Sequence, residues 1–189
     1  MRTSHKEMRR KINAEVSKIT DEELFSSAAF AAYLTDIAEA VTKRYKRKLR
    51  VETIYDTSEN VMIACTNNRN ILINTGNYIS WSMPYRKLKA ESILGLVGHE
   101  VGHMLFTNFR ISETYFSELS YGRLYPQMEL SEEEQESFTE VTDYFKTGTE
   151  EQKQAILKAA KLLLNILEDA YIEARICDRY TGRFATGIH

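Results

Sequence analysis

Thr20-Asp-Glu-Glu23 has the form of a capping box, and Leu24, Phe25, Ala28, Ala31, Ala32, Leu34, Ile37, Ala38 and Val41 follow it at helical spacing. The pattern predicts a helix over about 21–46. The period then changes. Leu49 to Tyr55 and Val61 to Thr66 are rich in β-branched residues and are joined by Asp56-Thr-Ser-Glu-Asn60, while Asn67-Asn-Arg-Asn70 leads into Ile71-Leu-Ile-Asn74. These segments read as two hairpins making a small antiparallel sheet. After Pro84, the apolar positions Leu88, Ile93, Leu94, Val97, Val101, Leu105 and Phe106 return to helical spacing. Residues 108–130 are mixed, aromatic and partly irregular, with Gly122 and Pro126 as breakers, and read as the rim of a cleft. Ser131-Glu-Glu-Glu134 and Thr149-Glu-Glu-Gln152 are further capping boxes that open helices of about 132–146 and 150–179, with Gly148 as the stop between them. The expected fold class is α+β, mostly helical, with a small antiparallel sheet preceding the helix that carries residues 99–103.

A chain of 189 residues with 43% apolar content can bury one sizeable core, so a single domain over 1–189 is expected. The closing Thr181-to-His189 stretch has no clear stop signal, as it would if the chain were the N-terminal part of something longer. The formal net charge of -2 argues against a protein that coats nucleic acid, and the basic run Lys43 to Lys48 reads as a solvated helix terminus favoured by the helix dipole. Cys65 and Cys177 are the only cysteines and have no metal-ligand spacing, which fits a reducing compartment. The charged N-terminus is not followed by a signal-like apolar run, and no later segment approaches a membrane span, so a soluble cytoplasmic protein is expected.

The chemistry concentrates at His99-Glu100-Val101-Gly102-His103. On a helix, residues four apart face the same way, so His99 and His103 can offer their imidazoles to one metal ion. Glu100, beside the first histidine, is placed to hold a water and take its proton while the cation lowers that water's pKa. The chain has only four histidines, and His5 and His189, at the termini, are poor candidates for a third ligand. A catalytic zinc ordinarily takes three protein ligands, and the last helix offers carboxylates in Asn165-Ile-Leu-Glu168-Asp169-Ala-Tyr-Ile-Glu173, where acids interrupt an apolar stretch. Gly95, Gly98 and Gly102 each weaken the helix, which points to a close approach by sheet, metal or substrate, or to tight packing alone. A di-iron centre would need a second Glu-x-x-His element, and no other histidine has a glutamate three positions before it.

His-Glu-x-x-His followed by a helix with a carboxylate resembles the zincin metallopeptidases, including the gluzincins. Residues 98–109 together with Asn165 to Glu173 more closely resemble metallopeptidases of bacteria and their phages that are linked to von Willebrand factor A domains, and the resemblance covers residues 88–176. It implies a zincin-like fold, Zn2+ as cofactor, a peptide or protein substrate, and a von Willebrand factor A-type partner domain. It also implies a third ligand that is either Asp169 or Glu168. In gluzincins an acid four residues after that ligand hydrogen-bonds the first histidine; Asp169 and Glu173 have this spacing with the two acids exchanged. The Asn165, Asp169, Ile172 pattern leans toward Asp169, leaving Glu168, Glu173 and Asn165 to support the ligands. Zincins bind an extended peptide on an edge strand, for which Ile71 to Asn74 or Asn77 to Ser82 are the candidates. Tyr171, Arg175 and the tyrosines of 115–125 are the undistinguished candidates for stabilising an oxyanion. The expected function is zinc-dependent peptide hydrolysis with Glu100 as general base; the alternative is a zincin-like module that has lost turnover and serves interaction or regulation.

Overall fold

The computed structural model describes residues 4–45 and 48–188; Lys46 and Arg47 of the basic run, and His189, lie outside the described residues. The chain forms two compact units, one of Met1–Leu105 with Glu173–His189 and the other of Phe106–Ile172. Both are rich in helix, and the first holds a three-stranded mixed sheet, so the class is α+β. No helix among the described residues is long and apolar enough to cross a membrane.

The first unit opens with α1 (His5–Val16), capped by the Ser4 side chain and without buried residues. The helix expected over 21–46 is two helices, α2 (Asp21–Phe25) and α3 (Ala28–Thr42). The break has a local cause. The Ser27 hydroxyl donates to the Leu24 carbonyl and accepts from the Phe30 N–H, so it ends one helix and caps the next. Helix α3 stops at Thr42 because Lys43 takes a left-handed conformation with φ 57°.

The sheet consists of β1 (Arg50–Ile54), β2 (Ala64–Thr66) and β3 (Asn70–Asn74), in the order β1-β3-β2. Only β2 and β3 form the expected hairpin; β1 lies parallel to β3, with Val51 opposite Ile71 and Thr53 opposite Ile73. Asn74 explains the departure from an all-antiparallel sheet. Its side-chain oxygen accepts from the Asp56 N–H while its amide nitrogen donates to the Asp56 carbonyl, and the Thr75 N–H reaches the Ile54 carbonyl. These bonds hold the ends of β1 and β3 side by side and pointing the same way. Both expected edge strands are corrected as a result. Ile71 to Asn74 lies in the central strand, and Asn77 caps a helix, α4 (Tyr78–Ser82), through the Ser80 N–H. The edges are β1 and β2.

Helix α5 (Arg86–Phe106) runs through the core. Its start is tied down by Arg86 and Lys89, which both reach the Asp21 carboxylate, at 2.6 and 2.8 Å. On a 3.6-residue period its side chains sort into three stripes. Ile93, Val97, Val101 and Met104 are buried, as are Val51, Ile71 and Ile73 of the sheet. Gly95 and Gly98 form a second stripe, met by α9 (Arg183–Ile188): a Cβ on Gly95 would collide with the backbone of Gly187, and one on Gly98 would lie 2.9 Å from a ring carbon of Phe184. What approaches the backbone at these two glycines is a neighbouring helix. The third stripe carries His99, Glu100 and His103.

The second unit contains α6 (Phe109–Ser120), in a stretch that the sequence left irregular, then α7 (Glu132–Thr147) and the first part of α8 (Glu150–Arg179). Helices α7 and α8 fall where their capping boxes place them, and both elements of the Ser131–Glu134 box are formed.

The two glycines separate two kinds of close packing. Gly95→Ala sets a methyl group against backbone that cannot yield without moving α9, and should cost about 2–3 kcal/mol. Gly98→Ala meets a side chain rather than backbone, but at the near end of the buried Phe184 ring, and should cost less, about 1–2 kcal/mol. Chemical denaturation of the two variants checks the order; equal losses would contradict the packing described.

Candidate metal centre

The third stripe of α5 is polar where its neighbours are apolar. Taking His99 as the reference, His103 stands about 40° round the helix and Glu100 about 100°, so all three project within roughly a quarter-turn. The imidazoles are half-buried, with ring centroids 4.9 Å apart, and the Glu100 carboxylate is buried, with 5% of its residue surface exposed. An ionisable group in that position needs a polar or cationic partner to offset the cost of leaving water.

Helix α8 brings the acids. Glu173 Oε1 lies 3.0 Å from His99 Nδ1. A carboxylate only accepts, so Nδ1 carries the hydrogen and Nε2 is left as the acceptor nitrogen of that ring, the arrangement in which a carboxylate fixes the tautomer and orientation of a ligating histidine. One turn earlier on the same continuous helix stands Asp169. Its carboxylate, with His99 and His103, forms a group whose ligand atoms all lie within 4.8 Å of one another, and all three residues are half-buried. Ile172 and Ile176, fully buried on this part of α8, hold its turns in place.

Of the residues that the sequence singled out, the structure therefore groups His99, His103 and Asp169, joins Glu173 to His99, and sets Glu100 on the same side of α5. Glu168, next to Asp169 but turned about 100° away on the helix, is not in the group. Asn165 lies one turn before Asp169 and is exposed. His5 sits in the exposed first turn of α1. Two imidazoles and one carboxylate are the donor set of a catalytic transition-metal site with three protein ligands, borderline in softness and short of a closed tetrahedral cage, so the residues present fit zinc.

Two further features escaped the sequence reading. Cys65, on the edge strand β2, has its thiol pKa pushed up, first by burial and then by the negative charge of Glu100, so β2 runs within electrostatic reach of that carboxylate. Arg44, in the basic run that reads as a solvated terminus, instead spans two elements. It donates to the Asn68 carbonyl and side chain in the β2–β3 turn and to the Met104 carbonyl, one residue beyond His103. A cation at that carbonyl complements the negative end of the α5 dipole. A strand edge of three residues and one arginine in a mixed basic run leave no distinctive mark in a sequence, whereas Gly95 and Gly98 did mark a close approach, although what approaches is a helix and not the sheet, metal or substrate expected.

Protein purified without chelator should carry close to one zinc per chain. His103→Ala and Asp169→Ala should each abolish stoichiometric zinc, while Glu168→Ala should retain it, as read by elemental analysis of folded protein. Zinc lost with Glu168 and kept without Asp169 would reverse the assignment. Compared with known proteins, the chain matches no protein-family model, no curated protein and no solved structure.

Proposed function

We propose that the chain is a zinc-dependent hydrolase, specifically a metallopeptidase with a zincin-like arrangement. The observation that carries the reading is the convergence of His99, His103 and Asp169 on one point, with the buried Glu100 on the same side of the helix. His99, His103 and Asp169 would hold the ion, and Glu173 would keep His99 in the tautomer that offers Nε2. Bound there, zinc supplies Lewis acidity that lowers the pKa of water toward neutrality and polarises a carbonyl.

The remaining work falls to the chain's own groups. Glu100 orients the attacking water, takes its proton, and can hand that proton to the departing amine. Burial keeps bulk water from competing for the carboxylate and leaves it poised close to the substrate. The edge strand β2 supports a peptide as substrate, because an edge strand takes up an extended chain by backbone pairing and β2 lies within reach of the Glu100 charge. A von Willebrand factor A-type partner domain belongs to the same reading through the resemblance alone.

The test is hydrolysis of a fluorescently labelled unfolded protein, such as casein, by the zinc-loaded chain. Glu100→Gln should lower turnover by about 10²–10⁴-fold, the usual worth of a general base, with zinc content unchanged. Full zinc and full turnover in Glu100→Gln would refute the mechanism, and a zinc-loaded wild type without hydrolysis would favour a module that binds and does not cut.

A further inference from the structure

Helix α8 carries an apolar row that the second unit does not cover. Leu162, Leu163, Ile166 and Leu167 keep 61, 61, 55 and 69% of their surface exposed, and the flanking Ala159 and Ala170 are exposed as well. A helix that faces water ordinarily turns charged and polar side chains outward, so four large aliphatic residues in adjoining turns call for a cover. At roughly 100 Å² each they present about 400 Å², the size at which an apolar patch on a monomer marks an interaction site. The unit's own core is thin: among its described residues the buried hydrophobic side chains are Leu119, Phe145 and Ile172. Beside the row runs an apolar groove of about 540 Å³, into which Leu163 and Leu167 extend from α8 and to which Leu119, Phe138 and Val141 contribute walls from α6 and α7.

The order of residues says what the cover is. About a point between Leu164 and Asn165 the row reads alike in both directions: Ala159 answers Ala170, Leu162 answers Leu167, and Leu163 answers Ile166. A two-fold interface demands this, because the patch must be its own complement and each contact must occur twice. The bulky residues at the centre can interdigitate where the two helices cross, and the alanines toward the ends leave room for them. Antiparallel pairing also opposes the two helix dipoles. The four aliphatic side chains from two copies remove about 800 Å², and the alanines and groove walls carry the total to the roughly 1,000 Å² that a specific interface needs.

We infer that this row is the contact surface of an antiparallel homodimer, in which α8 of one chain packs on α8 of a second copy about a two-fold axis passing between Leu164 and Asn165. The inference is independent of the hydrolase reading, since no residue of the row is a candidate metal ligand or base.

Sedimentation velocity of the full chain between about 1 and 100 µM, the range of ordinary protein association, decides it. A reversible monomer–dimer equilibrium is expected. Ile166→Lys, at a position that does not line the groove, should raise the dissociation constant by about 100-fold or more, because the change enters the interface twice. Adding Leu163→Glu to Ile166→Lys should restore dimer, since each new carboxylate then faces the new ammonium of the other copy, and Leu162→Glu with Leu167→Lys should do the same at the second pair. Circular dichroism reports whether each variant is folded. A wild-type chain that stays monomeric at 100 µM, a dimer indifferent to Ile166→Lys, or two folded double variants that both fail to restore association would overturn the proposal; so would a monomer that uses the row only to hold some other molecule.

Discussion

Everything at the candidate centre depends on α5 being held on two sides at once. One stripe of the helix is packed with Ile93, Val97 and Val101, and the adjoining stripe has no side chains at Gly95 and Gly98, so that α9 can lie directly against it. With those two faces committed, the direction in which His99, Glu100 and His103 project is fixed. The glycines cost helix propensity, and the close fit of α9 offsets that cost while preventing the helix from rolling. Rotation by even a fraction of a turn would carry both imidazoles away from the Asp169 and Glu173 carboxylates of α8.

Polar groups finish what the apolar packing begins. Glu173 sets the tautomer of His99, and Arg44 anchors the carbonyl just past His103 to the β2–β3 turn. Asn74 joins the ends of β1 and β3 through paired bonds to Asp56. Each of these side chains serves two elements, so the sheet edge near Glu100 and the helix bearing the histidines are positioned by the same few bonds. That sharing gives a three-residue strand a defined place within electrostatic reach of a buried carboxylate, which is the ground for the role of β2 in the proposed function.

The sequence was most legible where a local rule operates. Capping boxes located α2, α7 and α8, helical spacing located α5, and the four-residue interval between His99 and His103 pointed to the two candidate ligands that the structure groups with Asp169. The interval between Asp169 and Glu173 was visible too, as was the choice between Asp169 and Glu168, which differ only in where the continuous helix turns them. What escaped were decisions made between distant segments. The parallel pairing of β1 with β3 depends on Asn74 reaching Asp56, 18 residues away; the break between α2 and α3 escaped for a different, local reason, a serine hydroxyl finding the Leu24 carbonyl three residues before it. Hydrophobic periodicity carries no record of such bonds, and it assigned the edge of the sheet to the wrong strand as a consequence.

The central claim is that His99, His103 and Asp169 together make one transition-metal site. X-ray absorption at the zinc edge, on protein loaded with one equivalent of zinc, tests it most directly because it reports the ligand atoms themselves. The account predicts scattering from two imidazole rings and low-atomic-number oxygen donors, with the histidine pattern halved in His103→Ala. Sulfur scattering from Cys65 or Cys177, or an all-oxygen shell without imidazole, would place the metal elsewhere and contradict the account.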